Sequence, residues 1–184
     1  MPVSPTDNSS GVIKLSIFAN GSQIDEAIQV ASVSINKAIN KIPHAKIIVL
    51  DGDMPNKDFP ISNSDDFKPG SEIEINAGYD QTEETIFKGV VIKHGIKITG
   101  DNYSRLVIEC RDKAVAMTIG RHNANYVDSK DSDIISTLIS AYGDLSSDVE
   151  ATTTEHKELV QYYCSDWDFM LSRAEANGLL VCVE

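Results

Sequence analysis

The sequence has no run of about 18 apolar residues, so it predicts no helix long enough to cross a bilayer and no stable membrane insertion of this segment. Its opening, MPVSPTDNSSG, has no apolar stretch, so a secretory signal pattern is missing and residues 1–11 read as a flexible tail. Cysteine is scarce. Cys110, Cys164 and Cys182 form no CxxC pair, and an odd count without a framework points to a reducing compartment. Cys110 shares a predicted strand face with Leu106 and Ile108, which suits a small core residue.

Positive charge is also short. Sixteen Lys and Arg stand against 28 Asp and Glu, a formal net charge of -12. Residues 121–184 hold four basic and twelve acidic side chains, a net of -8, which leaves -4 for residues 1–120. Such a surface repels phosphate backbones, so nucleic acid is not an expected partner.

Motifs of chemistry are missing too. None of His44, His94, His122 and His156 stands at metal-ligand spacing from another His or Cys. There is no GxSxG, P-loop or GxGxxG. DGDMPNKD, residues 51–58, looks like a calcium loop but has Asn56 where that loop needs glycine and Ser62 where it needs glutamate. It reads better as a solvated hairpin loop. The sequence therefore assigns no catalytic, cofactor or metal residue, and the expectation is a non-enzyme. A triad assembled from distant residues stays open, since triads are spatial.

What is present is strand pattern. Val12 to Ala19 is a strand candidate, and Asn20-Gly21 is a strong hairpin signal. Gln23 to Ile35 and Ile42 to Leu50 continue as strands. Asp51 to Gly70, with Pro55, Pro60 and Pro69, reads as a loop. In Ser71 to Tyr79, Ile73, Ile75, Ala77 and Tyr79 alternate with Glu72, Glu74 and Asn76, which predicts one buried and one wet face. Thr85 to Thr99 is long, with Gly89 and Gly95 as expected bulges or corners. Gly100-Asp101-Asn102 reads as a turn, and Ser104 to Arg111 runs back. Short strands with two glycine breaks predict an antiparallel sheet curling into a small barrel.

After Met117 the texture changes. Asp131 or Ser132 can cap a helix over Asp133 to Tyr142, with Ile134, Ile135, Leu138, Ile139 and Tyr142 as its stripe and Gly143 as its stop. Leu145 to Lys157 is a polar connection. Leu159 to Tyr163 is a short apolar run. Ser165 then caps a second helix, with Asp168 answering the cap. Trp167, Met170, Leu171 and Ala174 form its stripe, and Asn177-Gly178 ends it. Leu179 to Val183 reads as a strand that lacks a following partner, so a longer protein is expected. The fold class is mainly β with α (α+β): tail 1–11, β-barrel 12–120, and a second helix-plus-strand domain 121–184, incomplete at its C-terminus. No internal repeat is evident.

Read on residues alone, Tyr162, Tyr163 and Trp167 suit a core or interface role better than a sugar platform. QYYCSDWDFMLSRAEANGLLVCV resembles the signature of VgrG proteins, the spike and hub proteins of type VI secretion. PGSEIEINAGY with IFKGVV resembles that family's tube-domain strands, and MTIGRHNANYVDSKDSDIISTLISAYG its join into a helix. The likeness covers residues 12–184. It marks Ser165, Asp166, Trp167, Asp168, Phe169 and Gly178 as structural motif residues. Ala176-Asn177-Gly178 stands where many relatives have a second glutamate before the glycine.

The resemblance implies a phage-hub-like tube domain and a truncated α/β second domain. It implies a trimeric structural ring that joins the inner tube to a puncturing spike in a type VI secretion system or related contractile machine. Implied partners are further copies of itself, an Hcp-like inner tube protein and baseplate proteins. The protein would be cytoplasmic when assembled and then secreted or injected. A free-standing carbohydrate- or protein-binding β module is the alternative, and an enzyme fragment with its catalytic part downstream is a third.

Overall fold

A computed structural model describes residues 13–53, 55–79, 82–98, 100 and 103–184. The predicted tail at 1–11 lies outside the described residues, as do Asp101 and Asn102 of the predicted turn. The chain divides into two compact units. Residues 13–36 and 44–111 form the described part of the first, and residues 37–43 and 112–184 form the second.

The first unit contains strands β1 (Ile13–Ala19), β2 (Ser22–Gln23), β3 (Val30–Asn36), β4 (His44–Leu50), helix α1 (Pro60–Asn63), and strands β5 (Glu72–Tyr79), β6 (Thr82–Ile98) and β7 (Ser104–Arg111). They make one antiparallel sheet in the order β2-β1-β5-β6-β7-β4-β3. One face is apolar along every long strand. Ile17 and Ala19, Ile73 and Ile75, Phe87 and Val91, Leu106 and Ile108, and Ala45, Ile47 and Val49 form a single buried cluster. Strands from both ends of the order share that core, so the sheet curls around it.

The sheet is not a closed barrel. No ladder joins β3 to β1 or β2. The predicted single strand over Gln23 to Ile35 is broken, and its two pieces lie at opposite ends of the sheet. The break is a turn: the Asp25 carboxylate accepts the Ala27 N–H at 2.9 Å, and its carbonyl accepts that of Ile28 at 3.0 Å. An aspartate that bonds backbone two residues on competes with a ladder. The seam is therefore crossed by the chain itself rather than by hydrogen-bonded strands.

Three further differences have local causes. The β6 bulges fall at Ile86 and Ile92, where its register with β5 and β7 shifts, and not at the glycines. At Gly89 a Cβ would stand 2.2 Å from the Arg111 carbonyl oxygen, so glycine there permits close backbone approach. Phe67, inside the predicted loop, is fully buried in the sheet's core. Burying such a ring stabilises by about 1.5–3 kcal/mol, enough to fix the segment that carries it.

The second unit has a 3-10 turn (Lys113–Thr118), strand β8 (His122–Lys130), helix α2 (Asp131–Ser140), strand β9 (Glu155–Cys164) and helix α3 (Asp166–Ala176). β8 and β9 pair antiparallel. Met117, Ile134, Ile135, Leu138, Trp167, Phe169, Met170 and Ala174 are buried together, with Ile42 from the short stretch 37–43. Leu179 to Val183 is not a strand. Its residues alternate half-buried and exposed, as a strand's would. Beyond the Leu179 N–H bond back to Ala174, its backbone bonds go to Asn40, through Val181 carbonyl and N–H, and one residue does not make a ladder.

Candidate functional site

Of the residues singled out in the sequence, Ser165 to Phe169 stand at the β9–α3 junction and Gly178 at the far end of α3. Ser165 is the N-cap of α3: its hydroxyl accepts the Asp168 N–H at 3.1 Å and donates to Asp168 Oδ2 at 2.6 Å. Arg121 stands 3.5 Å from the same Asp168 carboxylate. Two acids in the first turn also suit the helix dipole.

Asp166 begins the helix and is 6% exposed. Its carboxylate accepts the Gln161 amide at 2.7 Å and the Tyr142 hydroxyl at 2.7 Å, and lies 2.9 Å from His122 Nδ1. Burial alone would push this carboxyl up, but bonds from Gln161, Tyr142 and His122 outweigh it and hold it below the usual carboxylate range. The same contact works the other way on Tyr142, whose hydroxyl is pushed up to about 12 by burial and by the bond to Asp166. Gln161, a single polar residue between Val160 and Tyr162, is 1% exposed and also accepts the Tyr126 hydroxyl at 3.2 Å.

Trp167 and Phe169 are buried, and Phe169 stacks on Tyr126 with ring centroids 5.8 Å apart and planes at 13°. Gly178 stands at the far end of α3 with φ +69°. Leu179 N–H bonds Ala174 carbonyl and Gly178 N–H bonds Glu175 carbonyl, the paired bonds of a Schellman stop. Tyr162 and Tyr163 are exposed, at 81% and 68%, so Trp167 does not join them in one platform.

A second polar cluster went unread in the sequence. Asp131, 3% exposed, opens α2. Its Oδ2 lies 2.9 Å from His156 Nε2 and accepts the Asn177 amide at 2.8 Å, while Arg173 Nε is 3.7 Å from Oδ1. The expected Asp131 or Ser132 cap is not made, because Thr152 supplies it from 20 residues away.

These contacts bind carboxylates rather than activate them. Among the described residues, no Ser, Thr or Cys side chain is hydrogen-bonded to either His122 or His156, and no group of three His, Cys, Asp or Glu could hold a metal ion. In residues 51–58, Asp51 accepts the N–H groups of Ile61 and Ser62, Asp53 holds Asn56, and Asp58 holds Asn63. Each carboxylate there fixes local chain. Met54 lies outside the described residues.

The fold has solved relatives. An E. coli component of the type VI secretion system, described as structurally similar to the T4 bacteriophage tail proteins gp27 and gp5, matches with a TM-score of 0.62 at 13% identity, over 86% of this chain and 42% of its own. A 43 kDa prophage MuSo2 tail protein from Shewanella oneidensis matches at 0.66 and 9% identity, over 91% and 49%. A tail protein from Neisseria meningitidis MC58 matches at 0.62 and 11% identity, over 92% and 50%. The chain thus spans half or less of the length of the structures it resembles. No curated protein matches the sequence. The fold is a phage-tail-protein fold, and the family model that matches is not a VgrG model. The matching family model covers residues 9–184, and the chain belongs to the Alg8 N-terminal domain family.

Proposed function

We propose that this chain is the hub part of a VgrG-like spike in a type VI secretion system or related contractile injection machine. In this reading it forms a trimeric ring that joins the inner tube to the spike and performs no chemistry of its own. The reading rests on one observation: the curled sheet followed by the strand–helix unit matches a type VI secretion component and two tail proteins over 86% to 92% of its length. The tube domain would be the first unit, and the second unit would begin a domain completed further along the protein. Its partners would be two further copies, an Hcp-like tube protein and baseplate proteins. It would be assembled in the cytoplasm and expelled with the spike.

Antibody labelling tests this. An antibody raised against the chain should mark the end of the inner tube in purified contractile particles, and cross-linking of those particles should give three copies per particle. Particles without label, or a monomer by cross-linking, would end the proposal.

A second reading has one observation in its favour. The first unit carries a cleft of about 790 Å³ lined in part by Phe59, Ile98 and Tyr103, the kind of surface a free-standing binding module would use. Micromolar binding on a glycan array by a monomer absent from particles would favour it.

A further inference from the structure

Two stretches of the second unit read alike. Asp131-Ser132-Asp133-Ile134-Ile135 and Asp166-Trp167-Asp168-Phe169-Met170 are both Asp, any residue, Asp, then two apolar residues, and a glycine follows each opening aspartate at the same remove, Gly143 and Gly178. The likeness extends to position. Asp131 begins α2 directly after β8, Asp166 begins α3 one residue after β9, and each is buried. Ile134 and Ile135 are buried, as are Phe169 and Met170.

The strands correspond as well. His122 opens β8 and His156 is the second residue of β9. One more residue separates His156 from Asp166 than separates His122 from Asp131. That residue is taken up where Tyr162 and Tyr163 together face Asn123 at the register shift, with the Tyr163 N–H on the Asn123 side chain at 2.8 Å. It is a bulge.

The contacts are exchanged between the two halves. His122, on β8, lies 2.9 Å from Asp166 of the second helix, and His156, on β9, lies 2.9 Å from Asp131 of the first. Tyr142, just past α2, donates to Asp166 at 2.7 Å. Asn177, at the equivalent place past α3, donates to Asp131 at 2.8 Å. Antiparallel pairing explains this, because it sets the start of each strand beside the end of the other. Each helix's opening carboxylate therefore meets the other strand's histidine and the other helix's last turn.

We infer that the second unit is a duplicated strand–helix module clasped to its twin by two crossed polar locks, an isologous contact within one chain. In such a contact, residue i of one half meets residue j of the other and j meets i. Asp131 takes its side-chain partners His156, Asn177 and Arg173 from the other half, and Asp166 adds only Gln161 of its own strand to His122 and Tyr142 of the other. The halves have since diverged. Arg173 near Asp131 takes the place that Leu138 holds in α2, and Gln161 is present only at Asp166.

Double-mutant cycles on the full chain test this, read by urea unfolding of the second unit. His122→Gln with Asp166→Asn, and His156→Gln with Asp131→Asn, should each lose little more than the worse single variant. The same-half pairs, His122→Gln with Asp131→Asn and His156→Gln with Asp166→Asn, should add. Additivity in the first two, or coupling in the second two, overturns the inference. Hydrogen exchange of the two His→Gln variants decides the case if the doubles do not fold. His122→Gln should speed exchange roughly tenfold or more at the start of α3 and spare α2, and His156→Gln should do the reverse, as loss of a bond to a charged group requires. Loss in the helix that follows the mutated strand, or in neither helix, would also sink it.

Discussion

The Thr152 hydroxyl stands 3.1 Å from the backbone nitrogen of Ser132 and accepts its hydrogen. It caps α2 from a segment that reads as mere connection, and it is 8% exposed. Thr152→Val keeps the shape and removes the acceptor, so it should cost about 1 kcal/mol. Thr152→Ser should restore most of the loss. Thermal melts of the two variants check this, and equal melting temperatures would remove Thr152 from the role.

Trp167 sits in the core of the second unit at 7% exposure. Trp167→Ala should destabilise that unit by about 3–5 kcal/mol, because the ring's burial is lost and a cavity remains. Loss of the tryptophan fluorescence reporter requires circular dichroism as the measurement. An unchanged melt would show that the ring does not anchor the core.

Glycines separate cleanly. Gly178 has φ +69° in open space, so Gly178→Val meets backbone strain but no clash, and should cost about 1–2 kcal/mol. Gly89→Ala meets the Arg111 carbonyl directly and should be the worse of the two. Gly95→Ala meets nothing within 4 Å and needs no unusual φ, so it should be neutral or slightly stabilising. Urea midpoints for the three variants rank them.

Acid should loosen the second unit. Burial would raise Asp131, but bonds from His156 and Asn177 and the nearby Arg173 charge prevail and lower it, as Asp166 is lowered. A carboxyl whose folded value lies below its unfolded value of about 3.9 stabilises above that pH and loses its contribution as pH falls through the folded value. Melting temperatures between about pH 6 and pH 2 should therefore fall below about pH 4. The fall should be smaller in Asp131→Asn and Asp166→Asn, which start lower. A wild-type slope no steeper than the variants' would refute the assignment.

Much of this was legible where pattern alone decides structure. The alternation of Ile73 and Ile75 with glutamates gave β5, Asn20-Gly21 gave the first hairpin with φ positive at both residues, and Ser165 with Asp168 gave the α3 cap. What stayed hidden depended on distant partners. β8 carries a polar sequence, HNANYVDSK, and is a strand because β9 lies beside it. Phe67 sits among loop residues and is core because the sheet curls over it. The break at Asp25 turned an unbroken apolar alternation into two strands, since one side chain bonding its own backbone outweighed the pattern. His122 and His156 carry no local motif, and only the pairing of their strands brings each to a carboxylate.

The strand order has a consequence for synthesis. β1 finds its neighbour in β5, and β4 finds its neighbour in β7, each after a long intervening stretch. A nascent chain that has reached only Leu50 holds β3 against β4 with half of its apolar face uncovered. It must wait until Arg111 has cleared the ribosome before β4 is covered on its other side. Contacts so distant in sequence slow folding, and apolar strands left waiting can recruit strands from other chains. Successful production of this protein is thus a race between translation of β5 to β7 and self-association of what precedes them, and slower growth at lower temperature and concentration shifts that race toward the folded sheet.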